Sequence, residues 1–310
     1  PARRPRRRLG VTMDRSIDEF AAEVGTTDAV TIQGTATRGG AVDGVRTVQA
    51  PTGITRIDAA EMVIECGAGT PMTEVHAALA DVGQTVSIPP DGTIGGALAV
   101  GASDLTRLGH GPMRDVLLQT HFVGASGKVT KAGGPTVKNV SGFDLCRLFV
   151  GAYGTLGFFG DVIVRTRPLS PASRWFSTPG DPFDLLASLY RPTAMLWDGG
   201  TTWVRLDGDP ADVAATASRW GLEEVAGPPA LTGPHRWSLP PARLASELAG
   251  EEPGSFVAEI GVGVVHRSEP QPRRLPDPAV RALHDRIKAQ FDPAGRLNPG
   301  VDPLATGSPG

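Results

Sequence analysis

The chain has 310 residues, of which 40% are hydrophobic and 20% are charged, and its formal net charge is −3. This length allows a substantial buried core, and the small net charge gives the whole molecule no electrostatic reason to bind nucleic acid. The two cysteines, Cys66 and Cys146, have no metal-ligand spacing and are too few for a disulfide framework, so we expect buried thiols and a cytoplasmic location. No apolar run approaches the ~18 residues that span a bilayer, and we therefore expect no transmembrane segment.

The first ten residues, PARRPRRRLG, contain five arginines and no apolar stretch. This pattern is not that of a secretory signal. A basic patch for a nucleic acid or a membrane is one alternative. We interpret residues 1–14 as a disordered basic tail.

The next segment alternates short strands and short helices. Ser16 to Glu19 has the pattern of a capping box, and Gly25 is expected to end that helix. A second helix is predicted from Thr70 and Pro71 to about Val82, with Pro71 as its first helical residue. Strands are predicted at 30–32, 62–66, 116–123 and 162–164. The pattern indicates a mixed domain over residues 15–170.

A proline-rich turn at 168–171 is the predicted domain boundary. Residues 171–270 indicate a small α+β domain, with a strand at 202–206, a helix at 210–220 and a strand at 256–265. Residues 271–310 are predicted to form a C-terminal helix and a tail that returns to the first domain. The predicted fold class is therefore α+β.

Three glycine-rich loops stand beside strand-like runs: GTATRGG (34–40), PPDGTIGGALAVG (89–101) and the long segment 128–167. Glycine has no Cβ, so its backbone can approach a ligand closely. Thr35 and Thr37 add hydroxyl groups to the first loop, and a helix that begins at Ile94 is expected to direct its N–H groups at phosphates. The three loops together fit a large phosphate-bearing cofactor, although either of the first two alone is also compatible with an ordinary turn.

The order of the motifs TIGG (93–96), GHGPMRD (109–115), VKNVSGFDL with GAYGTLG (137–157) and FDPAGRLNPG (291–300) resembles the FAD-binding proteins of the vanillyl-alcohol oxidase and p-cresol methylhydroxylase (PCMH) superfamily. Within it, the chain is most similar to the FAD-binding subunits of bacterial glycolate oxidases, over about 28–167 and the C-terminal tail. The resemblance implies an FAD-binding PCMH-type domain at 15–170 and a small α+β cap domain at 171–270. It implies FAD as the cofactor, bound without a covalent link because the first loop has no histidine.

The loops and the resemblance together predict the cofactor-binding residues. In the first two loops these are Gly34, Thr35, Thr37, Pro90, Thr93, Ile94, Gly95 and Gly96. In the third they are Lys138, Asn139, Gly142, Asp144, Gly154, Thr155 and Gly157. The alternatives are a solvated surface lysine for Lys138 and a helix cap for Asp144, which we interpret as a cap on a loop that contacts the cofactor.

Three residues are candidates for a catalytic role. Lys138 would stabilise the negative charge of a reduced flavin. His110 is either a base, a covalent flavin anchor or a residue of an ordinary loop, and Asn298 is either close to the flavin ring or part of an Asn-Pro turn. We expect no metal site, because the downstream histidines His235, His266 and His284 lack ligand spacing.

The resemblance predicts an FAD-dependent oxidoreductase subunit of a glycolate-oxidase-like complex that oxidises a small 2-hydroxy acid. Its implied partners are a catalytic flavin subunit and an iron–sulfur subunit, with no nucleic acid, and the complex is expected in the cytoplasm, peripheral to the inner membrane through its partners. The alternative is a flavin-free or structural assembly paralogue. Relatives that act alone bind metal and the substrate carboxylate with C-terminal histidine clusters, so this chain in isolation is expected to show little or no 2-hydroxyacid dehydrogenase activity.

Overall fold

The computed structural model describes residues 12–39, 41–134, 144–272 and 275–305. In chain order the helices are α1 (Ile17–Val24), α2 (Met72–Ala80), α3 (Ile94–Val100), α4 (Arg107–His110), α5 (Leu145–Phe149), α6 (Pro182–Ser188), α7 (Pro210–Arg219), α8 (Leu244–Glu247) and α9 (Pro278–Phe291). The strands are β1 (Val30–Ile32), β2 (Arg46–Val48), β3 (Ile54–Asp58), β4 (Val63–Gly67), β5 (Gln84–Thr85), β6 (Leu117–Val123), β7 (Val129–Gly133), β8 (Phe158–Arg165), β9 (Arg167–Pro168), β10 (Ala172–Pro179), β11 (Ala194–Trp197), β12 (Thr201–Gly208), β13 (Glu223–Val225), β14 (His235–Ser238), β15 (Val257–Glu259) and β16 (Val264–Arg267). The predicted α+β class is confirmed.

The chain forms two compact units. Unit 1 consists of residues 1–104, 112–169 and 275–304, and unit 2 of residues 105–111, 170–274 and 305–310. The division differs from a continuous first domain, since residues 105–111 belong to unit 2. The main-chain N–H of Gly109 donates to the carbonyl oxygen of Thr193 (3.0 Å), which fixes this short segment within unit 2.

Unit 1 is built on a five-stranded antiparallel sheet in the order β3-β4-β8-β6-β7, beside the parallel pair β1-β2. β8 is buried along nearly its whole length, as expected for a central strand. The ring of Phe149 in α5 lies 4.2 Å from that of Phe122 and 5.6 Å from that of Phe291, measured between centroids. These contacts bring the end of α9 onto the core from which the loop 151–157 departs.

Both cysteines lie inside unit 1 as free thiols. Burial raises the pKa of Cys66 to about 12 and that of Cys146 to about 11, because the thiolate would lose its hydration. Both therefore remain protonated near neutral pH, as expected for small buried side chains without redox chemistry.

Unit 2 contains a seven-stranded sheet in the order β13-β10-β12-β11-β15-β16-β14. Its hydrophobic core includes Phe256, whose ring centroid lies 5.5 Å from that of Trp197. The prediction of one strand over 256–265 is wrong. Gly261 and Gly263 have φ angles of 77° and 89°, and they turn the segment into the antiparallel pair β15-β16.

The predicted start of the second helix is also wrong in its detail. Pro71 is the N-cap rather than the first helical residue, and its φ and ψ are −61° and 138°. The Oγ1 of Thr70 does not cap the helix, because it donates a hydrogen bond to the carbonyl oxygen of Gly67 (2.7 Å). The predicted capping box at Ser16 and the stop at Gly25 are confirmed.

Candidate functional site

The first glycine-rich loop follows β1 in unit 1 and is accessible to solvent. Gly34, Thr35, Ala36 and Thr37 are exposed. Ala36 adopts a left-handed φ of 57°, and Gly39 has a φ of 94°. Backbone that changes hand in this way can gather N–H groups into a concave anion site. The last residue of the predicted loop, Gly40, lies outside the described residues.

The second loop packs directly against the first. A Cβ on Gly34 would lie 2.8 Å from Thr93 Oγ1, and a Cβ on Gly92 would lie 2.5 Å from Thr37 Oγ1. Both glycines are therefore required by contacts between the loops, and Gly92 in addition has a left-handed φ of 75°. The predicted residue Pro90 is exposed beside this contact.

One ion pair joins the two loops, and the sequence pattern did not indicate it. Arg38 Nη2 lies 2.6 Å from Asp91 Oδ1, and Arg38 Nη1 donates to the main-chain oxygen of Asp91 at 2.8 Å. The Arg38 side chain is 13% exposed, whereas that of Asp91 is 55% exposed. The guanidinium is therefore held by two acceptors at the surface of the second loop.

Helix α3 begins at Ile94, as predicted, with Thr93 as its N-cap. Its first N–H groups nevertheless have acceptors within the protein. The N–H of Ile94 donates to Thr70 O (3.0 Å) and that of Gly95 to Ala68 O (2.8 Å). The N–H of Gly96 donates to Thr93 Oγ1 (3.1 Å). The prediction that these N–H groups face phosphates is therefore wrong for this structure. α3 meets the first loop through its N-cap, since the Cβ position of Gly34 lies 2.8 Å from Thr93 Oγ1.

Of the third glycine-rich segment, residues 128–134 and 144–167 are described, and Lys138, Asn139 and Gly142 lie outside the described residues. Asp144 caps α5 by accepting from Arg147 N (3.2 Å), which confirms the cap interpretation. Thr155 is 1% exposed, and its hydroxyl donates to Ala152 O (2.7 Å). The side chain of Thr155 is thus occupied within the fold.

The two flanking glycines of this loop face protein side chains. A Cβ on Gly157 would lie 2.8 Å from the ring of Phe122, and one on Gly154 would lie 2.7 Å from Asn298 Nδ2. Gly154 and Gly157 therefore make room for packing. Any contact that they make with a cofactor is left to their main chain.

Asn298 connects β1 to the third loop. Its Oδ1 accepts from Thr31 Oγ1 (2.9 Å) and from Ile32 N (3.2 Å), while its Nδ2 donates to Tyr153 O (2.6 Å). Asn298 and Tyr153 both have positive φ angles, 43° and 52°. The side-chain amide of Asn298 holds this strained backbone and joins β1 to the third loop. The predicted place of Asn298 near a flavin ring stays a prediction.

Two further cations secure the tail that carries Asn298, and sequence reasoning missed both. Lys288 Nζ contacts Thr155 O (2.7 Å) and Asp292 Oδ2 (2.6 Å). Arg296 is 4% exposed and donates to main-chain oxygens of Asp28, Ala125 and Val24 at 2.9, 2.9 and 2.7 Å. Desolvation lowers the pKa of Arg296 from its ordinary value, and the carbonyl oxygens compensate for part of the lost hydration.

His110 lies at the end of α4 in unit 2, whereas the glycine-rich loops belong to unit 1. Its Nε2 is 3.8 Å from Asp207 Oδ2, and its side chain is 16% exposed. The structure therefore places this candidate beside a carboxylate of unit 2. Its roles as a base or a covalent flavin anchor stay predictions.

A second polar cluster of unit 2 contains one of the histidines that appeared isolated in the sequence. His266 Nε2 lies 2.9 Å from Glu259 Oε1, with side chains that are 7% and 2% exposed. Arg236 Nη2 lies 3.5 Å from the same oxygen. Glu259 Oε2 and Arg236 Nε are buried and have no hydrogen-bond partner among the described residues. The cluster thus combines a cation, a carboxylate and an imidazole with unfilled hydrogen-bonding capacity.

Within the described ranges, no group of three or more His, Cys, Asp and Glu residues could hold a metal ion. Over the same part of the chain, none of the helices is long and apolar enough to cross a membrane.

Comparison with known protein families gives two matches. Residues 19–133 match the FAD binding domain family, and residues 242–301 match the C-terminal domain family of FAD linked oxidases. The first match contains the first two glycine-rich loops. The second contains Glu259, His266 and the tail with Asn298.

Several curated proteins are similar to the chain. The Escherichia coli glycolate oxidase subunit GlcE is 33% identical over 192 residues, which cover 58% of this chain and 55% of GlcE. The Archaeoglobus fulgidus D-lactate dehydrogenase is 35% identical over 117 residues, or 36% of this chain and 26% of that protein. The Bacillus subtilis glycolate oxidase subunit GlcD is 40% identical over 86 residues, or 26% of this chain and 18% of that protein. The chain thus spans about half of GlcE and less of the other two.

Among solved structures, an alkyldihydroxyacetonephosphate synthase superimposes with a TM-score of 0.64 at 13% identity, covering 92% of this chain and 75% of that one. At this identity the likeness concerns the fold alone. The two family matches, together with the glycolate oxidase subunits among the relatives, confirm the predicted family and its cofactor, FAD. The chain carries an FAD-binding domain and the C-terminal domain of FAD linked oxidases, which are FAD-dependent oxidoreductases.

Proposed function

We propose that this chain is an FAD-binding oxidoreductase subunit that acts on a small 2-hydroxy acid within a glycolate-oxidase-like complex. The names of GlcE and GlcD as glycolate oxidase subunits support this assignment. A catalytic flavin subunit and an iron–sulfur subunit are the proposed partners. The proposed location is the cytoplasm, peripheral to the inner membrane through those partners.

The residues of unit 1 fit FAD. The loop 34–39, exposed over residues 34–37 and with left-handed backbone at Ala36 and Gly39, would direct main-chain N–H groups at a pyrophosphate. Thr35 and Thr37 add hydroxyl donors, and the Cβ position of Gly96 has open space around it apart from Thr93 Oγ1 at 3.0 Å. These residues would hold the diphosphate part of the cofactor. Bound FAD would supply the hydride acceptor of the reaction.

The observation that carries the substrate class is the cluster of Arg236, Glu259 and His266. Oxidation of a 2-hydroxy acid removes a hydride from the α-carbon and a proton from the hydroxyl group, so the site needs a proton acceptor and a cation for the carboxylate. The unpaired Nε of Arg236 can donate to a carboxylate, and the unpaired Oε2 of Glu259 can accept from a hydroxyl group. His266, 2.9 Å from Glu259, can hold the proton.

The cluster bears on the expectation that the isolated chain has little activity, which rested on its downstream histidines being isolated. His266 is isolated along the chain but lies against a carboxylate and near a guanidinium in the fold. In the proposed reaction the chain would supply both a base and a cation. Whether the chain also needs a partner subunit is tested by comparing flavin reduction in the isolated chain and in the complex.

The first experiment is a visible spectrum of the purified chain followed by anaerobic addition of glycolate or D-lactate. We expect flavin absorbance in the isolated chain and bleaching in the complex that co-purifies with it. A colourless protein that still assembles would instead support the alternative, a flavin-free assembly paralogue. Bleaching of the isolated chain at the rate of the complex would contradict the need for a partner and leave the substrate class standing.

The second experiment removes the cluster. Glu259→Gln, His266→Gln and Arg236→Gln in the complex should each slow flavin reduction by about 10²-fold or more, the usual effect of losing a general base or its supporting charge. The FAD content should remain that of the wild type, because none of the three is among the predicted cofactor-binding residues. Arg174→Gln is the matched control, since Arg174 forms an exposed ion pair with Glu224 (3.0 Å) elsewhere in unit 2. Equal rates in all four variants would refute this assignment.

A further inference from the structure

We propose that Arg38 is a positioning residue for the cofactor. By pairing with Asp91 it docks the first glycine-rich loop onto the second and holds the strained backbone at Ala36 in the conformation that receives the pyrophosphate. This inference rests on the proposed function only in requiring that the chain bind FAD. It concerns how the free protein prepares the site.

The backbone of the first glycine-rich loop is strained at Ala36. Ala36 has a φ of 57°, a region in which a residue with a Cβ is disfavoured. The penalty for one left-handed residue corresponds to about a five- to thirtyfold change in an equilibrium constant. Because Ala36 is exposed, no buried core packs around it to impose this conformation. The neighbouring contacts of the loop must therefore hold it.

The contacts that can hold Ala36 in this conformation are made by the residues that follow it in the loop. Arg38 makes two hydrogen bonds to Asp91, at 2.6 Å to Oδ1 and 2.8 Å to the main-chain oxygen. A Cβ on Gly92 would lie 2.3 Å from Arg38 Nη1 and 2.5 Å from Thr37 Oγ1. Residues 37 and 38 thus sit on the surface of the second loop immediately after Ala36. Together with the packing of Gly34 against Thr93, this contact holds the two loops as one preorganised unit.

Two roles of Arg38 must be distinguished: positioning of the loops and direct binding of a phosphate. An arginine beside an anion site could instead contact a phosphate itself. In this structure two of the five N–H donors of Arg38 have acceptors on Asp91, and the carboxylate offsets the positive charge. The pair favours a role for Arg38 that acts through Asp91. The two roles predict opposite effects of removing the carboxylate.

The experiment is a double-mutant cycle on FAD affinity. Arg38→Gln, Asp91→Asn and the double variant are freed of flavin, and FAD is titrated back while its fluorescence is followed. Each single change should weaken FAD binding by about five- to thirtyfold, and the double variant should be no weaker than either single one, since both changes break the same contact. Arg38→Lys, which keeps the charge and one contact, should recover part of the affinity.

Arg281→Gln is the matched control, because Arg281 forms a comparable two-contact pair with Asp302 in unit 1, at 3.0 and 2.7 Å. It should leave FAD affinity unchanged. If Asp91→Asn leaves affinity unchanged or tightens it while Arg38→Gln weakens it, Arg38 is a direct phosphate ligand and the proposal is overturned. Unchanged affinity in both single variants overturns it as well. Failure of the wild-type chain to bind FAD would refute the proposed function itself, which keeps the two results apart.

The thermal midpoint of each flavin-free variant completes the test. Asp91 is largely exposed, so Asp91→Asn should lower the midpoint by no more than the control does. Weaker FAD binding at an unchanged midpoint is the signature of a positioning residue. A loss of affinity that only parallels a loss of folded protein in every variant would overturn the proposal.

Discussion

At the scale of single residues, the glycines of the cofactor loops have different physical roles despite their identical appearance in sequence. A Cβ on Gly95 would lie 2.7 Å from the main-chain oxygen of Ala68, whereas a Cβ on Gly96 would meet only Thr93 Oγ1, at 3.0 Å. Gly95 is therefore required by the fold of unit 1. Gly96 is the neighbour at which a side chain would extend toward the proposed cofactor surface.

This difference predicts that a substitution at Gly95 lowers stability, whereas a substitution at Gly96 affects FAD binding. Gly95→Ala should lower the free energy of unfolding by about 1–3 kcal/mol, the usual cost of overpacking against rigid backbone. Gly96→Ala should change it by less than ~1 kcal/mol, because helix propensity offsets the close contact with the cap. Gly96→Val should in addition lose FAD while the fold survives. Urea unfolding and the ratio of flavin to protein measure the two effects, and unchanged flavin content in Gly96→Val would identify the loop as an ordinary turn.

At this scale the sequence predicted interactions between residues close together along the chain and missed those between residues far apart. The caps formed by Ser16 and Asp144 involve donors three residues away, so local pattern was sufficient to find them. The pair of Arg38 and Asp91 joins residues 53 positions apart. No periodicity links such residues, and only the packing of the loops brings them together.

At the scale of elements, the C-terminal segment was predicted as a helix and a returning tail, and its attachment to β1 is the part that the sequence could not supply. α9 packs Ile287 and Phe291 on the core of unit 1, and Leu297 pairs with Val30 of β1. The following residue, Asn298, then reaches Tyr153 in the third loop. The tail thus ties the strand before the first loop to the loop that follows α5.

The strand prediction for 256–265 failed at the same scale for a different reason. Ten mostly apolar residues favour one strand by composition, but two glycines with positive φ create a turn between β15 and β16. That turn places Glu259 and His266 on neighbouring strands, where Glu259 is opposite Val264 and Val257 is opposite His266. The substrate cluster therefore depends on the turn that the strand prediction overlooked.

The tail gives a matched pair of substitutions at Asn298. Asn298→Ala should lower the free energy of unfolding by about 2–4 kcal/mol, because it leaves buried partners without hydrogen bonds and places a Cβ residue in a left-handed conformation. Asn298→Gly loses the same amide but tolerates the φ of 43°, so it should be more stable than the alanine variant by about 1 kcal/mol. Chemical denaturation of both flavin-free proteins measures the difference. Equal stability of the two variants would show that the backbone at 298 is relaxed.

At the scale of the whole molecule, each unit has its own hydrophobic core, and each contributes a different part of the proposed chemistry. Unit 1 gathers loops from residues 34–39, 91–96 and 151–157 with the tail at Asn298. Unit 2 carries the cluster of Arg236 and Glu259 on its seven-stranded sheet. The sequence predicted the cofactor half because glycine-rich loops are local signals. It did not predict the substrate half, because that cluster is assembled from three strands.

The last prediction concerns how the flavin is retained by the molecule. The first loop contains no histidine, and both cysteines of unit 1 are buried with raised pKa values, so neither offers a reactive thiolate for a covalent bond to the flavin. His110 belongs to unit 2 and pairs with Asp207. We therefore expect acid precipitation to leave all of the flavin in the supernatant, because the loops of unit 1 hold it only while that unit is folded. In the folded protein, free FAD at a hundred times its dissociation constant should raise the free energy of unfolding by about 2.7 kcal/mol. Flavin that remains with the precipitated protein, or a thermal midpoint that does not respond to added FAD, would contradict non-covalent binding at this site.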